Sequence, residues 1–328
     1  MTKIVTPTSE TIAEAAALIR RGGLVAFPTE TVYGLGANAL DGKAVAGIFA
    51  AKNRPAINPV IVHVAKREDV EKFVEVDDRA RGLMAAFWPG PLTLILPKKK
   101  DGGIADLVSA GLPTIAIRMP NHPVALQLIE AAGVPIAAPS ANASGEPSAT
   151  TPRHVQDSLG DRVPLIIAGG ASAVGLESTV LDLSGATPLI VRPGAVTAED
   201  LEEYLDGVTY DFGTKEKPSS PGQLLKHYAP SIPMRLNAVD VEEGEALLAF
   251  GSTKFMGVKT GGFAKDLGDE RFKNLSEQGD LNEAAANLFS MLRDLDVASN
   301  TRIAVMNIPE QGLGIAINDR LKRAAQGR

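Results

Sequence analysis

No cysteine occurs in the 328 residues, which excludes disulfides, thiolate nucleophiles and cysteine-based zinc sites and gives no sign of an oxidising compartment. A basic field is also missing. Lysine and arginine number 33 against 39 aspartates and glutamates, a formal net charge of −6, and only "KKK" at 98–100 and the C-terminal "RLKRAAQGR" concentrate cations. Counterion release therefore offers little energy for gripping a nucleic-acid backbone, and stable nucleic-acid binding is not expected. No uncharged apolar run approaches the ~18 residues that span a bilayer. The N-terminal "MTKIVTPTSE" lacks the basic-then-apolar layout of a secretory signal, so a cytoplasmic chain is expected. Internal repeats are missing, as is a G-x-S-x-G elbow, and the four histidines (63, 122, 154, 227) have neither acidic neighbours nor metal-ligand spacing. Serine hydrolases and zinc enzymes fall away.

What is there is an ordinary globular composition, 45% hydrophobic and 22% charged, at a length that implies two domains. A helix fits 9–21, with Ile12, Ala15, Ala16 and Ile19 at helical spacing, Ser9 able to cap and Gly22-Gly23 as the stop. Strand-like runs stand at 24–27, 60–64, 92–96, 114–119, 135–138, 164–168, 178–183 and 189–192, with helical patterns between many of them. That mixture predicts an α/β layered domain, partly antiparallel because the last three runs follow closely. "TAEDLEEYLD" opens with a Thr197/Asp200 capping pattern and closes this domain near residue 206. Turn formers dominate 207–232, which is read as a linker. A smaller α/β unit over 233–328 has "ALLAF" and "RIAVMNI" as strands around a helix at 280–296.

Several motifs admit two accounts. In "PTETVYGLGANA" (28–39), Gly34, Gly36 and Ala39 fit G-x-G-x-x-A, but too far past the strand and without the acid of a dinucleotide site. A Walker loop fails too, since Ala37 and Ala44 stand where Gly and Ser/Thr are needed. The structural account is a glycine turn feeding a helix near 43–51. It leaves unexplained Thr29, Glu30, Thr31 and Tyr33, crowded at a strand end. Lys52 and Arg54 suit either a helix C-terminus or a polyphosphate clamp. His63, inside "VIVHV", is either a satisfied core residue or a ligand group. Arg118 in "TIAIRMP" repeats the anomaly: a guanidinium beside Ile115 and Ile117 needs an anion, for which a ligand carboxylate is a natural partner. Thr114, four residues earlier, shares its side of the strand. "PSANASGEPS" (139–148) is either a polar surface loop or a turn whose backbone N–H groups cradle phosphate. Ser178 and Arg192 sit at strand edges with the same ambiguity.

Taken in order, "FPTETVYGLG", "KNRPAINPVIVHV", "FWPGPLT", "IAIRMPNHP", "PSANASGEPS", "ESTVLDL" and "VRPG" resemble the YrdC-type threonylcarbamoyl-AMP synthases, and "SPGQLLKHYAP" with the C-terminal unit resembles their long, two-domain branch. The resemblance covers nearly the whole chain. It implies a YrdC-like twisted mixed sheet with helices over 1–206, a linker acting as an active-site lid over 207–232, and a small Rossmann-like α/β domain over 233–328. It implies a nucleotidyltransferase of tRNA processing that condenses L-threonine, bicarbonate or CO2, and ATP, with Mg2+ on the phosphates, into threonylcarbamoyl-AMP and pyrophosphate. A downstream threonylcarbamoyl transferase complex would be the partner. By the same resemblance Thr31, His63, Arg118, Ala138 and Ser178 hold threonine. ATP falls to Lys52, Arg54, Asn58, Thr114, Ser140, Asn142, Ser148, Arg192 and Tyr228, with Lys52, Arg54, Ser140 and Asn142 catalytic; no protein-held metal is implied. Val60, where leucine is frequent, and "QLL" at 223–225 depart from the pattern without removing a polar contact. The related hydrogenase-maturation carbamoyltransferases carry zinc-binding cysteines, which this chain lacks. The lid reading rests on Pro218, Pro221, Gly222 and Pro230, which restrict the linker's path, and on His227 and Tyr228, which a spacer does not need.

Overall fold

The computed structural model describes residues 1–55, 57–211, 227–254, 256–259 and 261–327. The greater part of the expected linker, 212–226, lies outside them. The chain forms two units. The first comprises Met1–Ser144, Ala149–Ala173 and a stretch beginning at Glu177; the second takes in Gly145–Ser148, Val174–Leu176 and the C-terminal stretch.

The first unit is built on an eleven-stranded sheet. Its strands are β1 (Lys3–Val5), β2 (Val25–Phe27), β3 (Gly34–Asn38), β4 (Val62–His63), β5 (Leu92–Pro97), β6 (Thr114–Arg118), β7 (Ile136–Ala137), β8 (Leu165–Ile167), β9 (Thr179–Asp182), β10 (Leu189–Arg192) and β11 (Thr209–Tyr210). They lie in the order β1-β8-β2-β3-β7-β4-β6-β5-β9-β10-β11. Pairing is mixed: β4 runs parallel to β6, β5 to β9 and β10 to β11, whereas β3–β7, β4–β7, β5–β6 and β9–β10 are antiparallel. The expected partly antiparallel α/β sheet is therefore present.

Side-chain alternation sorts this sheet into two faces. Leu35, Val62, Ile115, Ile117, Leu92, Leu94 and Leu181 point into a large core. Helices α2 (Gly42–Lys52) and α3 (Asp78–Phe87) contribute Val45, Ile48, Leu83 and Met84 to it. On the opposite face α1 (Ser9–Arg20) and α5 (Pro123–Ala132) cover the β8-β2-β7 half, with Ile12, Ala15, Ala16 and Ile19 against Val124, Leu128, Phe27 and Ile136. Each fully buried aliphatic side chain there contributes ~1.5 to 3 kcal/mol. The other half of that face carries a separate small cluster of Ile61, Ile95, Ala116, Val180 and Val191, all buried and with no helical residue among them.

Three local expectations change. Thr8, not Ser9, caps α1, accepting from the Thr11 N–H at 3.2 Å. The run 60–64 pairs as a strand only at Val62–His63, because the Val60 N–H goes to the Val108 carbonyl. The glycines at 34 and 36 do not make a turn into a helix: they lie in strand β3, antiparallel to β2. A Cβ on Gly36 would stand 2.8 Å from both the Phe27 ring and Ile136, so glycine is required there by close packing. The helices of the remaining chain are α4 (Asp106–Ser109), α6 (Pro152–Leu159) and α7 (Ala198–Glu202). The last carries the expected Thr197/Asp200 capping box.

The second unit has a parallel sheet ordered β12 (Met234–Arg235), β17 (Arg302–Val305), β14 (Glu245–Ala249) and β16 (Phe272–Asn274), plus a two-stranded ladder of β13 (Asp240–Val241) and β15 (Gly257–Val258). Helices α8 (Leu281–Leu295) and α9 (Leu313–Ala324) accompany it. This is the expected small Rossmann-like unit. Among the described residues no helix is long and apolar enough to cross a membrane.

Candidate active site

His63 and Arg118 are register partners on the parallel strands β4 and β6. Alternation puts His63 with Ile61, and Arg118 with Ala116, on the half-face of that small cluster. Arg118 is 3% exposed. Its Nη1 donates to Thr31 Oγ1 at 2.9 Å, and Thr31 Oγ1 also lies 2.8 Å from Thr29 Oγ1. The anion that burial of the guanidinium demanded turns out to be a protein carboxylate: Glu30 Oε2 stands 2.6 Å from Nη2, close enough for an ion pair but without hydrogen-bond geometry. Arg118 Nε and Nη2 have no hydrogen-bond partner among the described residues. Burial lowers the pKa of Arg118, and Glu30 opposes that shift.

His63 packs edge-on against Phe27, ring centroids 6.2 Å apart. Burial, and then the Arg118 cation, lower its pKa from 6.5 to about 3, so the imidazole is neutral at physiological pH. Its Nδ1 has no partner among the described residues. A neutral ring with an unmet nitrogen can bind a polar ligand group but does not serve as a counter-ion.

A second cluster lies at the same end of the sheet, because the start of β5 is antiparallel to the end of β6 and parallel to the start of β9. Here Ser178 Oγ meets Thr93 Oγ1 at 2.7 Å and accepts from Arg192 Nη2 at 3.1 Å. Arg192 also donates to the Ser178 carbonyl from Nη2 at 2.9 Å and Nε at 3.1 Å.

A third cluster flanks the start of β4. Lys52, the last residue of α2, is 1% exposed and its ammonium reaches the carbonyls of Ser140 and Asn142. The Ser144 N–H donates back to the Lys52 carbonyl at 2.9 Å, so the 140–144 loop is fastened at both ends to one residue. Arg54 donates to Pro59 O at 2.9 Å, which pins the turn that carries Asn58. Both amide atoms of Asn58 are buried and have no partner among the described residues. Ala138 donates its N–H to Ile61 O at 2.9 Å, beside His63 in the chain.

Most of the expected residues thus gather around β4 and β6. Thr114 faces the same side as Arg118 but begins β6, ~13 Å away along the strand. Ser148 and Tyr228 belong to the second unit. Three participants have no role assigned from the sequence: Thr29, Glu30 and Thr93. Thr93 was detectable as the single hydroxyl in "LTLIL".

A mixed α/β sheet with buried cations, hydroxyls and a neutral histidine on one half-face defines a YrdC-like domain. Residues 17–194 match the Sua5/YciO/YrdC family model, described as telomere recombination, and 196–326 match the threonylcarbamoyl-AMP synthase C-terminal domain. The chain belongs to the two-domain Sua5 family. It is 43% identical over 324 residues to the threonylcarbamoyl-AMP synthase of Bacillus subtilis, covering 97% of this chain and 93% of that one. Against the synthase of Pyrococcus abyssi it is 43% identical over 328 residues, covering 95% and 93%. The crystal structure of P. abyssi Sua5 complexed with L-threonine superposes with a TM-score of 0.89 at 37% identity, covering 99% of this chain and 98% of that one.

Proposed function

We propose that the chain is an L-threonylcarbamoyladenylate synthase, making the AMP-linked intermediate for threonylcarbamoyl-adenosine in tRNA. The observation that carries the threonine assignment is Arg118: a buried guanidinium whose Nε has no hydrogen-bond partner among the described residues, beside Thr31 and a neutral His63. Leaving such a donor unmet costs ~1 to 3 kcal/mol, which a substrate carboxylate would recover. Glu30 beside the same guanidinium suits the ammonium of a free amino acid. ATP falls to the third cluster, with Lys52, Arg54, Asn58, Ser140 and Asn142 around its phosphates and Arg192 beside the substrate junction.

The threonine amine adds to CO2 with loss of a proton, or to bicarbonate with loss of water, to give a carbamate. A carbamate oxygen then attacks the α-phosphorus, the bond to the bridging α–β oxygen breaks, and pyrophosphate leaves. Such phosphoryl transfer is accelerated by positioning and charge neutralisation rather than by a covalent nucleophile. Buried cations and hydroxyls meet that requirement. Mg2+ would arrive on the phosphates as part of the substrate; among the described residues no group of three or more His, Asp or Glu side chains is placed to hold a metal ion. The product, a small mixed anhydride, would pass to a threonylcarbamoyl transferase complex.

The test is mass-spectrometric detection of threonylcarbamoyl-AMP from full-length protein with ATP, Mg2+, threonine and bicarbonate, each omitted in turn. Absence of product with all four present would sink the assignment. Arg118→Ala is expected to weaken threonine binding by roughly 10- to 150-fold, the equivalent of about 1.5 to 3 kcal/mol for a charge-assisted hydrogen bond, with ATP binding retained. Equal losses for both ligands on calorimetric titration would remove Arg118 from the threonine pocket.

A further inference from the structure

The second unit is not one continuous stretch of chain. It includes Gly145–Ser148 and Val174–Leu176, two short segments taken from within the sequence of the catalytic domain. Both are held by α8. Arg293, in the last turn of that helix, donates from Nη2 to the carbonyl of Pro147. At the other end of the same segment the Ala229 N–H donates to the Gly145 carbonyl at 2.8 Å. Ala229 is itself fixed by its neighbour: Tyr228 is 1% exposed, has φ 64°, stacks on Phe289 of α8 at 5.4 Å and lies 5.4 Å beneath the Arg320 guanidinium of α9. A bulky residue in the left-handed region is an outlier that its surroundings must enforce.

Among the described residues the second segment is held by contact. Gly175, with φ 74°, lies so close to α8 that a Cβ would stand 2.5 Å from Ala285 O and from Ala286 Cα. No side chain fits between these two backbones.

Each segment continues into the candidate site. Asn142 stands three residues before Gly145, and Ser178 three residues after Gly175. Three residues span at most ~11 Å, so a displaced anchor is not absorbed by slack chain. We infer that α8 is a positioning element for the reaction: Arg293 sets the nucleotide loop through Gly145–Ser148, and the Gly175 contact sets Ser178 on the threonine side. Neither residue touches substrate. The inference rests on the proposed reading of Asn142 as a nucleotide contact and Ser178 as a threonine contact.

Steady-state kinetics of full-length variants test it, because the two anchors should act on different substrates. Arg293→Ala is expected to raise the ATP KM roughly 10-fold or more, since a misplacement near 1 Å can cost ~100-fold, with the threonine KM unmoved. Arg293→Lys, which keeps a donor, should restore most of the loss. Gly175→Ala should raise the threonine KM and spare that for ATP. Leu247→Ala is the control: it lies in β14, in an apolar cluster without any α8 residue, and should lower the melting temperature without separating the two KM values. Should Gly175→Ala not fold, the Arg293 pair decides the nucleotide half by itself. The inference is overturned if Arg293→Ala and Gly175→Ala behave like Leu247→Ala or raise both KM values together. Asn142→Ala and Ser178→Ala separate the two levels. If they leave both KM values unchanged, the site reading fails and the inference falls with it; if they shift them while the anchor variants do not, the inference alone is wrong.

Discussion

His63 titrates at 6.5 when exposed and at about 3 in the folded protein, and that difference is a statement about stability. Between these values the unfolded chain binds a proton that the native chain refuses, so native stability falls as pH drops through the window from 6.5 toward 3 and is unaffected above it. The slope reaches at most ~1.4 kcal/mol per pH unit. Burial also lowers the pKa of His122, so the His63 part must be isolated by difference. Urea denaturation at pH 7.5 and 5.0 should show a larger loss for the native protein than for His63→Gln; an identical loss would mean that the ring is not excluded from protonation. The same residue shows which part of the site was legible in sequence. Lys52, Arg54, His63 and Arg118 drew notice as polar groups in apolar company, and all four are less than 9% exposed. Burial of such groups is costly enough that they are seldom there without a partner. Glu30 sits in a polar run where nothing marks it as buried, and Thr93 stood out only as the single hydroxyl of an apolar run, which a strand tolerates because threonine is as much at home there as valine.

Elements with a local period were legible and β3 was not, for a reason visible in α1 and β3. In α1 the 3.6-residue period of Ile12, Ala15, Ala16 and Ile19 is local, and these four are its buried face. In β3 the decisive facts are distant: Phe27 and Ile136 approach so closely that a Cβ at position 36 would stand 2.8 Å from each, and a glycine placed for that reason locally reads as a turn. Gly36→Ala should therefore destabilise by about 1 to 3 kcal/mol through overpacking, measured as a shift of the urea midpoint at unchanged m-value. A change within ±0.5 kcal/mol, typical of surface substitutions, would mean that the Phe27 ring gives way freely. Because that ring is the edge-on neighbour of His63, the substitution is also expected to raise the threonine KM.

At the scale of the molecule, a second α/β unit was legible in the sequence, but the interleaving of segments between the two units was not. A boundary drawn along the chain cannot show that four residues near 146 and three near 175 pack with a helix more than a hundred positions away. Hydrogen exchange can show it. Leu247→Ala removes a fully buried side chain from the central strand of the second sheet and should lower the opening free energy of that unit by about 2 to 5 kcal/mol. The native state stays dominant, so kinetic constants are spared, while amides exposed by that opening exchange faster by the corresponding factor, ~100-fold for 3 kcal/mol. Peptides covering Gly145–Ser148 and Val174–Leu176 should accelerate together with α8, and those covering β1 and β8 should not. If the two segments instead keep the exchange rates of the first sheet while α8 accelerates, they fold with the catalytic unit, and the second unit begins only after the linker.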